Sequence, residues 1–298
     1  MMKVLLIDLD KAKYPNLALM KLSAWHKSRG DEIWFNFGLQ NYDRCYCSCV
    51  FTWNALKVNA FPYDDIHLGG SGFKMGNTLP YVVEHIMPDY SLYDYPFSLG
   101  FTSRGCIKSC PWCIVTWKEG SIKEWAEIDE FLHPNSKGIV LYDNNLLAAP
   151  NAFRVLKRLA ELGIPVDFNQ GLDISLVTDE VAHYLAQLRF IKRLRFAFDV
   201  PELEGTFRRG MKLIEDAGIT MSRVMVYMLI GFNTTLDEDM ERVKIIRSFG
   251  ADPFVMPFRS QDGKVNLSRE TNEFARWVNR YRFRHITWEG WKKARGLK

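Results

Sequence analysis

Short apolar runs alternate with longer stretches of helical spacing along almost the whole chain. Lys3 to Asp8 (K-V-L-L-I-D) is apolar up to its polar end, as expected of a buried parallel strand. Asn16 to Ser28 sets Leu17, Met20, Leu22, Ala24 and Trp25 near helical spacing, and Gly30 stops it. Glu32 to Phe37, Asp43 to Thr52 and Asp65 to Leu68 read as further strands, the last running into Gly69-Gly70. Together these predict a small parallel-sheet α/β domain.

After Pro88, Tyr95 and Pro96 the rhythm restarts with longer units. Strands are expected at Phe97 to Thr102, Gly138 to Leu141, Val166 to Asn169, Arg193 to Ala197, Met225 to Ile230 and Phe254 to Met256. Helices are expected between them, at Ile122 to Leu132, Ala152 to Leu162, Asp179 to Leu188, Glu202 to Ala217 and Leu236 to Phe249. Gly163, Gly218 and Gly250 stand where three of these should end. Six β/α units are too few for a closed eight-stranded barrel and predict a partial (β/α)6 one. The expected division is an N-terminal α/β domain over 1–95, a partial barrel over 96–260 and an extension over 261–298.

Composition narrows the class. With 298 residues, 47% hydrophobic and 25% charged, the chain is too rich in core-forming residues for disordered or low-complexity classes. The longest apolar run, Val224 to Phe232, is half of the ~18 residues a bilayer span needs. The first residues meet an aspartate after four apolar positions, which is no signal-peptide core. A soluble, cytoplasmic protein with no membrane association is the expectation. The net charge of +4 is uneven: Arg276 to Lys298 holds eight basic residues and one acidic. Trp277, Tyr281, Phe283, Trp288 and Trp291 interleave with those charges, and Phe274, Trp277 and Tyr281 form an apolar stripe able to dock on a barrel. Basic residues among aromatics also suit single-stranded nucleic acid or nucleotides.

The six cysteines fall into two sets, Cys45-Cys47-Cys49 and Cys106-Cys110-Cys113, too few for a disulfide scaffold. The first set alternates in an expected strand, so its thiols share one face. Half of an auxiliary cluster is one reading and a buried core face the plainer one, cysteine being a small hydrophobe. The second set, in F-T-S-R-G-C-I-K-S-C-P-W-C, is spaced C-x3-C-x2-C and follows the first strand of the six-unit repeat. Thiolates suit iron–sulfur clusters or zinc, but structural zinc wants four ligands. Three would hold a [4Fe–4S] cube by three corners and leave one iron open to a small molecule. A zinc knuckle or three unrelated cysteines are the alternatives. No histidine shows ligand spacing; Arg104 and Lys108 either tune the site or bind an anion, or are solvated loop charges, and Glu119-Gly120 is expected to line the mouth.

The spacing and its position resemble the radical S-adenosylmethionine (SAM) superfamily. That resemblance implies that Cys106, Cys110 and Cys113 ligate a [4Fe–4S] cluster whose open iron chelates SAM. Reductive cleavage of SAM would then give a 5′-deoxyadenosyl radical that abstracts hydrogen from a substrate. It also implies SAM contacts at the strand ends: Asp143, Asn144 and Asn145 after the second strand, Asn169, Gln170 and Asp173 after the third, and Asp199 after the fourth. Gly231 keeps the last glycine of the family's G-x-I-x-G adenine segment, where Tyr227 replaces the first, and Trp112 stands at a usual aromatic position. Strand-end aspartates also cap helices, and Asn-Asn or Gly-Phe-Asn also form turns.

"G-F-T-S-R-G-C", "F-N-Q-G-L-D", "A-F-D" and "V-M-P-F" look most like members carrying an N-terminal cobalamin-binding-like (B12-binding, flavodoxin-like) domain. The D-x-H-x-x-G of histidine-ligating cobalamin domains is absent, since D-L-D-K-A-K-Y-P follows the first strand. Gly69, Gly70 and Gly72 stand where a nucleotide tail would lie or where the chain simply reverses. No cobalamin is expected, and the domain is read as a scaffold or lid. A reductant such as flavodoxin or ferredoxin is the implied partner. A nucleobase or nucleic acid is the first substrate expectation. A peptide or small metabolite, cobalamin-dependent methyl transfer, and a non-catalytic metal-binding scaffold are the alternatives.

Overall fold

In the computed structural model, residues 1–11, 14–36, 41–61, 66–260 and 267–297 are described. Phe37 and Asp65, expected at the ends of two strands, and the start of the extension at 261–266 lie outside them. β1 (Lys3–Asp8) buries every residue but its first. Asn16 accepts from the Leu19 amide to cap α1 (Leu17–Ser28), and Gly30 ends the segment at φ +79°. β2 (Glu32–Phe35), β3 (Arg44–Ser48) and β4 (Ile66–Gly69) complete a parallel sheet in the order β2-β1-β3-β4.

β3 stops four residues short of the expected Thr52. The Asp10 carboxylate accepts from Val50 N at 2.5 Å, Phe51 N at 3.4 Å and Asn54 Nδ2 at 2.8 Å. These bonds turn the chain out of the sheet into a 3-10 segment, Thr52–Ala60.

α2 (Tyr81–Glu84) leads to β5 (Ser98–Gly100). The stretch Ile122 to Leu132 is not the expected helix. β6 (Ser103–Arg104) is followed by α3 (Val115–Glu119), and β7 (Lys123–Glu124) returns to pair antiparallel with β6. Trp125 N donates to Thr102 O at 2.9 Å, and a capping box between Glu127 and Glu130 closes one 3-10 turn in place of a helix. Extended pairing at Lys123–Glu124 and the Trp125 bond take the place of the first turn of the expected helix.

The rest alternates: β8 (Ile139–Leu141), α4 (Ala152–Leu162), β9 (Val166–Phe168), α5 (Asp179–Gln187), β10 (Leu194–Ala197), α6 (Glu204–Asp216), β11 (Val224–Ile230), α7 (Leu236–Ser248) and β12 (Asp252–Pro257). The architecture is thus mixed α/β with parallel sheets. β5-β8-β9 and β10-β11-β12 are each parallel, and parallel bridges Val166–Phe190 and Leu172–Phe196 run between the two sets. Along β11, Val224, Val226, Met228 and Ile230 are fully buried in one core with Leu156, Phe207, Met211 and Ile246 of the helices. Met225, Tyr227 and Leu229 alternate to the other face.

α8 (Arg269–Asn279) and α9 (Trp288–Arg295) close the far edge. The Asn279 side chain accepts from Val255 N and donates to Val255 O, both at 2.8 Å, standing in for a neighbouring strand on β12. Phe274 and Trp277 of the expected stripe are buried in the main core, joined there by Trp288 and Trp291, whereas Tyr281 falls two residues beyond α8 in a left-handed turn at φ +55° and is only half-buried. The nucleic-acid expectation loses the buried rings as stacking surfaces. Arg284 pairs with Asp252, and Arg276 and Arg295 with Glu273. Among the described residues, no helix is long and apolar enough to cross a membrane.

Candidate functional site around the cysteine loop

The loop after β5 is held from below by the end of β8. Asp143, almost fully buried, accepts through Oδ1 from Thr102 Oγ1 at 2.6 Å, Ser103 N at 2.6 Å and Ser103 Oγ at 2.7 Å. Thr102 N reaches both its oxygens at 3.1 Å. Burial pushes the Asp143 carboxyl above the usual carboxylate range, opposed by these hydroxyls and amides. Asn144 Oδ1 accepts from Gly105 N at 3.1 Å. Gly105 has φ +87°, and a Cβ there would sit 2.3 Å from Ser121 O, so glycine alone fits this turn into the cysteines.

The third residue of the Asp-Asn-Asn run faces the thiols. Asn145 Nδ2 lies 3.4 Å from Cys106 Sγ and 3.4 Å from Asp173 Oδ2, while its Oδ1 is buried with no hydrogen-bond partner. Asp173 pairs with Lys108 at 2.5 Å and accepts from Ser175 N and Oγ. Burial pushes its carboxyl up, but Lys108 and Ser175 bring it net below the ordinary range. The Cys110 and Cys113 thiols are pushed up, by burial first. The neighbouring cysteines and Asp199 add to this. Asp199 accepts from Leu229 N at 3.0 Å, and burial raises its carboxyl too.

Cys106, Lys108, Asn145, Asp173 and Asp199 therefore share one environment, with Asp143 and Asn144 beneath it. Gln170 is exposed, and the Asn169 carbonyl accepts from Tyr227 Oη at 3.5 Å. Gly231, at φ +75°, closes against Leu267, whose Cδ2 would lie 2.2 Å from a Cβ there. Trp112 packs edge-on to Phe232 at 5.5 Å, and Phe232 to Phe258 at 4.9 Å, an aromatic wall beside the loop. Arg104 is a clamp rather than a solvated charge. Its Nε donates to Glu119 at 2.8 Å, and its guanidinium lies over Phe101 at 4.4 Å.

The chain matches no family model, and no curated protein matches it.

Among the described residues, no three His, Cys, Asp or Glu side chains already converge as a metal-binding group. The donor set still suits a soft metal centre: three thiols on one short loop, two of them electrostatically coupled to the others. The orphaned Asn145 carbonyl beside Cys106 calls for a hydrogen-bond donor that none of the described residues supplies.

The other cysteines differ. Cys45, Cys47 and Cys49 are buried with Leu5, Ile7 and Leu9, as the core reading expects. Burial pushes the Cys47 thiol up to about 12 and the Cys49 thiol up to about 11, so both stay protonated. A Cβ on Gly70 or Gly72 would meet the Cys49 backbone at 2.2 and 2.9 Å. Those glycines are there for chain packing.

Sequence reading missed the Lys108–Asp173 pair and the two-sided role of Asn145. The signal available was the presence of a cation inside the cysteine spacing and an amide four residues beyond a strand end. Their meeting depends on the tertiary fold.

Proposed function

We propose that the protein is a radical SAM enzyme, with its six parallel strands forming a partial (β/α)6 barrel. Cys106, Cys110 and Cys113 are the residues that would hold a [4Fe–4S] cluster by three corners. Bound there with SAM, such a cluster supplies one-electron reductive cleavage of the sulfonium and hydrogen abstraction from a substrate. The observation that carries this reading is the unpaired Asn145 carbonyl, buried within reach of Cys106 on a three-thiol loop.

In this account the residues divide their work. Asn145 Oδ1 would accept from the ammonium of the SAM methionyl group, which would otherwise be a desolvated cation without a partner. Asp143 and Asn144 position the loop through Thr102, Ser103 and Gly105 rather than touching the cofactor. Asp199, held by Leu229 N, would offer its carboxylate to the ribose hydroxyls. Asp173 anchors Lys108 within the cysteine spacing. Trp112, Phe232 and Phe258 exclude water from one side of the site. A flavodoxin or ferredoxin supplies the electron, and the N-terminal sheet serves as a scaffold without cobalamin.

Anaerobic reconstitution with iron and sulfide tests this directly. The expected result is about four irons per chain and the visible absorption of a cubane, both lost in Cys113→Ala, together with SAM binding that depends on the iron. Tight zinc binding with no iron cluster and no affinity for SAM would replace the enzyme with a metal-binding scaffold.

A further inference from the structure

Between the turn after β3 and the cysteine loop lies a pocket of about 210 Å³. One wall is Phe51 and Trp53, whose rings stack at 4.8 Å and 15°. They are 40% and 57% exposed, so their burial is not what holds this turn. The Asp10 carboxylate does that, through Val50 N, Phe51 N and the Asn54 amide. The turn is thus fixed from beneath while presenting two rings outward. Across from it stand Trp112, between Cys110 and Cys113 in sequence, and Phe258 at the end of β12. Among the described lining residues Arg259 is the only charged one, its guanidinium 5.8 Å from the Trp53 ring centroid.

Rigid, exposed aromatic faces beside one guanidinium form a stacking platform for a planar ring with an anion attached. We propose that this pocket binds a nucleotide, its base stacked on the Phe51–Trp53 pair and its phosphate on Arg259. Calling that nucleotide the substrate rests on the reaction proposed above, because Trp112 ties the pocket to the cysteine loop. The binding itself does not.

Full-length protein, with and without reconstituted iron, is titrated with AMP, GMP, CMP and UMP and with the parent nucleosides. Tryptophan fluorescence and calorimetry give the affinities. Monophosphates are expected to bind several-fold more tightly than nucleosides, whether or not iron is present. Trp53→Ala should weaken them about tenfold or more, while Trp53→Phe, which keeps a stacking face, should retain most of the affinity. Arg259→Gln should abolish the preference for monophosphate over nucleoside. Circular dichroism melting checks that each variant is folded. A trinucleotide binding more than tenfold tighter identifies a single strand as the source of the base, and equal affinity identifies a free nucleotide. No binding of any monophosphate, equal affinity for N-acetyltryptophan, or affinities unchanged in folded Trp53→Ala would overturn the proposal. Because binding is read without the cluster, its failure is distinct from a failure of the radical chemistry.

Discussion

Asn145 and Cys106 are joined by a hydrogen bond from the amide Nδ2 to Sγ at 3.4 Å, with the carbonyl of the same side chain left buried and unpaired. A buried acceptor without a donor costs about 1–3 kcal/mol, and a ligand ammonium would relieve that. Asn145→Ala is therefore expected to weaken SAM binding to reconstituted protein by about tenfold while leaving the iron content unchanged. Equilibrium dialysis with labelled SAM checks it, and an unchanged affinity would remove Asn145 from the cofactor site.

Asp143 has a different task. It accepts from Thr102 and Ser103 backbone amides and hydroxyls in a site closed to water. Asp143→Ala leaves those donors without an acceptor and is expected to destabilise the fold by roughly 3–5 kcal/mol. Urea unfolding at pH 7 measures the loss. A change under about 1 kcal/mol would mean that the loop is anchored elsewhere.

Asp252 ties three elements together, pairing with Arg193 ahead of β10, Arg247 in α7 and Arg284 beyond α8. Burial pushes its carboxyl up, but the bonds from Arg284 and Arg193 bring it net below the ordinary range. A carboxyl lower in the folded than the unfolded state stabilises at pH values above its unfolded pKa of about 3.9. That stability is lost as pH falls through the folded value. Asp252→Asn should thus be less stable than wild type by a constant amount between pH 6 and 8, with the gap narrowing below about pH 4. Denaturant midpoints across this range test it, and a gap that widens in acid would contradict the assignment.

Cys47 and Cys49 belong to the N-terminal core, with thiols pushed up to about 12 and about 11. Iodoacetamide at pH 8 is expected to leave Cys45, Cys47 and Cys49 unlabelled in the native protein and to label all three after unfolding. Peptide mass mapping reads the pattern. Cys47→Ser puts a hydroxyl among apolar neighbours and should cost about 1–3 kcal/mol. Native labelling of this trio would reopen a role in metal binding.

Legibility in the sequence followed locality. The strand runs at Lys3–Asp8 and Val224–Ile230 and the helix over Ala152–Leu162 stood out because each is set by a side-chain period and a terminal signal such as Gly163. Ile122 to Leu132 misled because its apolar residues fall at helical spacing, while Lys123–Glu124 is drawn into extended pairing with β6 and Trp125 N bonds Thr102 O, partners far from it in the chain. The end of β3 was hidden for the same reason: Asp10 sets it from 40 residues away. In the site, the spacing of Cys106, Cys110 and Cys113 was visible, and so was the Asp-Asn-Asn run. Which of its members faces the thiols depends on how β8 meets the loop, and only the fold shows it.

The central claim is that the Cys106–Cys113 loop supports reductive cleavage of SAM. Reconstituted protein is incubated anaerobically with reductant and SAM, and 5′-deoxyadenosine is measured by mass spectrometry beside Cys110→Ala. The account predicts product from the wild type, increased by the bound substrate, and none from the variant. Product formed equally by Cys110→Ala, or a wild-type chain that assembles no iron cluster, would contradict it.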